Sequence, residues 1–72
     1  MSKQTKHGLE NKIDDEKVRI ARYRNEIELL SNDKNLLPDK RDSLVKAKEE
    51  QIIRPELRIS EYELEWAELD TL

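Results

Sequence analysis

The chain contains no cysteine and no phenylalanine, a single glycine and only two prolines in 72 residues. Without cysteine there is no disulfide framework and no thiolate nucleophile. A lone glycine, Gly8, leaves no glycine-rich loop to cradle a phosphate or an ion. No apolar run exceeds two residues, so the sequence offers neither a membrane-spanning segment nor a signal peptide. The expectation is a soluble, cytoplasmic chain without membrane contact. His7 stands alone, with no second nitrogen ligand and no adjacent nucleophile. No metal, no cofactor and no catalytic group follow, and the chain reads as a binding protein and not as an enzyme.

Charged residues make up 43% of the chain against 35% hydrophobic, a balance close to that of disordered segments. Folding therefore depends on how the few apolar residues are arranged. Ile13, Ile20 and Ile27 recur every seven residues, with Leu9, Tyr23, Leu30 and Leu37 at the companion positions. Alternating steps of three and four place these side chains on one narrow stripe of a helix, the pattern of coiled-coil packing. Glu16 is the misfit in that stripe, and Lys34 falls at its next position.

The spacing predicts a first helix over about 9–31, after a flexible basic tail at 1–8. Ser31-Asn32-Asp33-Lys34-Asn35 is rich in residues that prefer caps and turns, and predicts a turn at about 32–37. Pro38 suits the first turn of a new helix, where its missing N–H is not needed, and Asp39 and Asp42 suit the same end. A second helix over about 38–70 follows, kinked or broken at Pro55, because an interior proline costs ~3 kcal/mol. Leu57 and Ile59 alternate, and so do Tyr62, Leu64 and Trp66, which is strand-like over a few residues. The glutamates and the helical spacing of Ile52, Ile59, Tyr62, Trp66 and Leu69 favour helix.

Charge sets the topology. Residues 1–24 carry seven Lys/Arg and four Asp/Glu, whereas residues 55–72 carry one Arg and six Asp/Glu. A reversal near Asn35 lays Lys12, Lys17 and Arg19 along Glu56 and Glu61. Exposed pairs contribute only ~0–1 kcal/mol each, enough to bias topology and not enough to drive folding. The predicted fold is all-α: an antiparallel, coiled-coil-like helical hairpin forming one domain over 9–72. Below about 70–80 residues a single apolar core is marginal, so self-association is the obvious remedy.

The second helix carries more apolar surface than one partner helix covers. Ile53, Leu57 and Leu64 form a second row with Ser60 and Ala67, and Val18 and Leu29 likewise lie off the first helix's stripe. The row is either the edge of a wider core or a contact surface. A dimer of hairpins, in effect a four-helix bundle, would cover both helices' extra rows. The expected contact residues are Ile53, Leu57, Leu64 and Trp66, with Glu61, Glu65 and Glu68 as a charged rim that sets orientation. The expected function is a small protein–protein interaction module, an adaptor, assembly or regulatory protein. Its expected partner is itself, as a homodimer, or another helical protein. Glu61, Glu65 and Glu68 read as an acidic face and not as a cation site, since no histidine or tight loop joins them.

The alternative is an RNA-binding regulator using the basic face of the first helix, Lys17, Arg19, Arg22 and Arg24 around Tyr23. Against it, Arg22 and Arg24 point apart, and the net charge of −3 argues against a dedicated nucleic-acid binder.

Two short stretches have counterparts elsewhere. Gly8-Leu9-Glu10-Asn11 resembles the Gly-x-Glu-Asn stretch of the Rho-binding homology-region family, antiparallel coiled-coil fingers that contact small GTPases. There the motif sits late in the first helix, whereas here it precedes nearly the whole stripe. Met1 to Lys6 with Leu9 resembles the start of the plasmid-copy-control family of helical-hairpin dimers that bind paired RNA loops, and nothing after Leu9 continues that likeness. Both resemblances imply a helical hairpin, and neither carries a site residue into this chain.

Overall fold

Thr5 starts the first helix. Its backbone is extended, and its Oγ1 accepts a hydrogen bond from the Gly8 amide at 2.9 Å, satisfying one of the free N–H groups of the first turn. Helix α1 (Lys6–Ser31) therefore begins three residues before the expected start at Leu9, and Lys6, His7 and Gly8 are helical instead of belonging to a tail. The computed structural model describes residues 5–71. The rest of the expected tail, residues 1–4, lies outside the described residues.

α1 ends where the turn-forming residues begin. The Asn32 amide donates to the Glu28 carbonyl at 3.1 Å, and Asp33 Oδ1 accepts from the Asn35 amide at 2.9 Å, a local turn made by the aspartate side chain. Leu37 is extended, as a residue before proline is biased to be, and Pro38 opens helix α2 (Pro38–Asp70). Leu37 was expected in the apolar stripe but is 73% exposed. The helix that carried the seven-residue count has already ended, so the count does not extend across the turn. Leu36 is half-buried instead.

α2 runs for 33 residues without interruption, so the break at Pro55 is absent, and among the described residues there is no strand. Pro55 removes the hydrogen bond that the Gln51 carbonyl would accept. Its ring is buried, in a recess shared with Arg19 and Tyr23 of α1. At about 1.5 Å per residue the length of α2 accounts for most of the 54 Å long axis, and the other two extents are 20 and 14 Å.

The chain is an all-helical hairpin of two packed helices. Its core is thin because two helices leave each other open on three sides. Among the described hydrophobic residues only Leu9, Ile20 and Ile52 are buried, at 0%, 7% and 6% exposure. Ile13, Tyr23, Ile27 and Leu30 of α1, with Val45, Ile59, Tyr62, Trp66 and Leu69 of α2, are half-buried around them. Glu16, the misfit of the stripe, is buried too. Its carboxylate lies between two guanidinium groups: Arg19 Nη1 at 3.3 and 3.4 Å from its two oxygens, and Arg58 Nη1 at 3.5 Å from Oε1. The arginines are partly exposed, so one buried charge is met by two that keep contact with water.

Candidate protein-interaction surface

Polar and aromatic contacts set the register of the hairpin. In an antiparallel pair the numbers of facing residues add to a constant. Lys6 with Trp66 and Asp70, Glu10 with Trp66, Lys12 with Tyr62, Glu16 with Arg58, and Tyr23 and Glu26 with Lys48 all follow that rule to within about one helical turn. Half of the constant falls at Leu36–Leu37, inside the connection.

Each of the three aromatic rings in the chain has a lysine of the opposite helix over it. Lys6 Nζ lies 5.0 Å from the Trp66 centroid, Lys12 Nζ 5.7 Å from Tyr62, and Lys48 Nζ 5.8 Å from Tyr23. Lysine stems cover apolar surface while the ammonium meets the electron-rich ring face and remains near water. Lys48 also reaches Glu26 Oε2 at 2.9 Å. That oxygen is shielded from solvent and has no aligned hydrogen bond, so the ammonium meets it as a charge contact off the donor axis. These lysines were not among the expected site residues. Charge complementarity laid Lys12 along Glu56 and Glu61, and it lies over Tyr62, one residue from Glu61.

On the opposite side of α2 from α1 lies the second apolar row. At about 100° per residue, Ile53, Leu57 and Leu64 fall within one narrow sector, with Ser60 and Ala67 along one edge of it. They are 55%, 58% and 66% exposed, so the row is surface and not the edge of a wider core. The Ser60 hydroxyl donates to the Glu56 carbonyl at 3.2 Å, which turns its polarity into its own helix. Glu61 and Glu68 border the row, and Glu65 lies further round; all three are exposed. Trp66 does not join them. It faces α1, where its Nε1 donates to Glu10 Oε1 at 3.1 Å and Lys6, not a partner's cation, covers its ring.

The basic residues of α1 divide between two sides. Lys17 and Arg24 flank one open groove of about 820 Å³, floored by Ile20, Ala21, Ile59 and Ser60, where Glu28 and Glu56 balance their charge. Arg19 and Arg22 lie beside Asp15 and Val18 on another side, and Arg19 is engaged by Glu16. Lys17, Arg19, Arg22 and Arg24 therefore form no continuous basic face. Among the described residues no three acidic or histidine side chains are arranged to hold a metal ion, and no helix is long and apolar enough to cross a membrane. No protein-family model, curated protein or solved structure matches the chain.

Proposed function

We propose that the chain is a protein–protein interaction module that docks an amphipathic helix, from a second copy or from another protein, onto the outer face of α2. The observation that carries this reading is the exposed row of Ile53, Leu57 and Leu64 on a chain that is otherwise highly charged. A helix laid along such a row buries apolar area that the hairpin leaves in water. The role is binding and not catalysis, that of an adaptor, assembly or regulatory protein. A chain without cysteine needs no oxidising compartment, which suits work in the cytoplasm. The balanced groove charges and the divided arginines favour this reading over RNA binding.

Two measurements test it. Sedimentation equilibrium over a concentration series reads self-association, and selection from a displayed library of amphipathic helices reads capture of a foreign helix. Leu57→Asp with Leu64→Asp is expected to abolish both while keeping the helical circular dichroism signal, because both side chains are exposed. A double variant with the same mass, the same melting temperature and the same selected peptides would sink the reading.

A further inference from the structure

The outer row of α2 has a register of its own. Ile53, Leu57, Ser60, Leu64 and Ala67 are separated by steps of four, three, four and three. This is a second coiled-coil seam, back to back with the one that packs on α1. Its flanking positions can be read off directly. Glu49, Glu56, Glu63 and Asp70 run down one edge, and Arg54, Glu61 and Glu68 down the other. All seven are exposed. Arg54 is the one basic residue among them, and Asp70 alone of the acidic ones has an ion pair among the described residues, with Lys6.

Flanking charges choose the partner of a coiled-coil seam. If two copies met through this face in antiparallel order, each edge would lie against the same edge of the other copy: the wholly acidic edge of Glu49, Glu56, Glu63 and Asp70 would meet itself, and Arg54 would relieve the other edge in part. In parallel order, Glu56 would face the second copy's Glu61, and Glu63 its Glu68, with only Glu49 and Arg54 attractive. Either arrangement juxtaposes like charges, which is destabilising. The outer face of α1 in a second copy is no substitute. Its corresponding row reads Asn11, Asp15, Val18, Arg22, Asn25 and Leu29, with just two apolar residues eleven positions apart.

We infer that the face of α2 built on Ile53, Leu57 and Leu64 takes a basic amphipathic helix of a different protein. Its apolar stripe is edged on both sides by Lys or Arg. Ser60 and Ala67 are small gaps in the seam, so the occupant carries large apolar side chains opposite them. The basic edges approach Glu56 and Glu63 on one side and Glu61 and Glu68 on the other. The inference rests on the proposed docking role and adds the chemistry of the partner.

The test uses the full chain and two synthetic helical peptides of three heptads with the same leucine stripe, one edged with lysine and one with glutamate. Binding is read by anisotropy of the labelled peptide, and the mass of the chain alone by sedimentation. The expected result is that the lysine-edged peptide binds about tenfold or more tightly than the glutamate-edged one, as the sum of several small charge contributions. Added salt is expected to narrow the gap. Glu56→Gln with Glu61→Gln, Glu63→Gln and Glu68→Gln is expected to remove the preference while leaving the fold, read by circular dichroism, intact. Equal binding of the two peptides, or a salt-resistant homodimer that Leu57→Asp dissolves, overturns the basic partner and leaves the docking role standing. Binding of the lysine-edged peptide that survives Leu57→Asp with Leu64→Asp overturns both, as does absence of binding and of self-association.

Discussion

Lys6 and Trp66 close the open end of the hairpin: the ammonium lies 5.0 Å from the indole centroid and also pairs with Asp70, while Glu10 accepts the indole N–H at 3.1 Å. The first and last turns of the fold are thereby joined through one aromatic ring. Helix ends fray when nothing holds them, and here the two ends that a turn does not connect are held by charge and aromatic contact. Lys6→Met keeps the stem and removes the charge. It is expected to lower stability by about 0.5–1 kcal/mol, the range for an exposed cation over a ring. Tryptophan emission checks the location of the loss: it should shift to the red at denaturant concentrations that leave the bulk helical signal unchanged. Emission and helicity that move together would show that the contact does not hold the ends.

Glu16 has the opposite character. It occupies a position where the stripe calls for an apolar side chain, and its carboxylate is buried between Arg19 and Arg58. A buried charge that is well paired is often no better than a hydrocarbon of similar size, because its dehydration offsets the attraction. The two arginines are exposed enough to be solvated without it. Glu16→Leu is therefore expected to stabilise the hairpin by about 1–3 kcal/mol, measured by urea denaturation. Destabilisation would mean that the carboxylate, and not the space it fills, holds the helices in register.

The parts of this architecture that were legible in the sequence are those set by local rules. The seven-residue recurrence of Ile13, Ile20 and Ile27, the turn formers from Ser31 to Asn35, and Pro38 at a helix start each act within a few residues of themselves. Thr5 is masked as a cap because His7 and Gly8 read as the end of a tail, although its side chain accepts from the amide three residues on and holds them in the helix. Leu37 leaves the stripe because a helical count does not carry through residues that are not helical. The lysines over Tyr23, Tyr62 and Trp66 become predictable only after the facing register is known to a residue, since a shift of one changes the residue opposite Lys12 from Tyr62 to a glutamate and the residue opposite Lys48 from Tyr23 to an arginine. The outer row of α2 was visible as spacing. Trp66 stands apart from it, because a position two residues beyond Leu64 is more than half a turn away and points toward α1.

Thr5→Ala removes the acceptor for the Gly8 amide. Loss of an N-cap costs about 1 kcal/mol, and here its consequence is local. The first turn opens, and Lys6 leaves Trp66 and Asp70 with it. Amide hydrogen exchange is expected to accelerate at Gly8 and Leu9 with little change at Ile20 or Ile52. Uniform acceleration along both helices would indicate that the cap supports the whole fold.

Pro55 lies inside an unbroken helix. An interior proline deletes one hydrogen bond and crowds the preceding turn, at a cost of ~3 kcal/mol in a helix with no compensation. Yet α2 continues through it, and the ring is buried beside Arg19 and Tyr23. Packing of the ring against α1 offsets part of that cost, so Pro55→Ala is expected to gain less than the full amount, about 1–2 kcal/mol. Pro55→Gly separates the two effects, because it restores the N–H while removing the ring and loosening the backbone by about 1 kcal/mol relative to alanine. Alanine should melt above the parent protein and glycine near it. If both variants melt well below the parent, the buried ring holds the helices together more strongly than the missing hydrogen bond weakens α2.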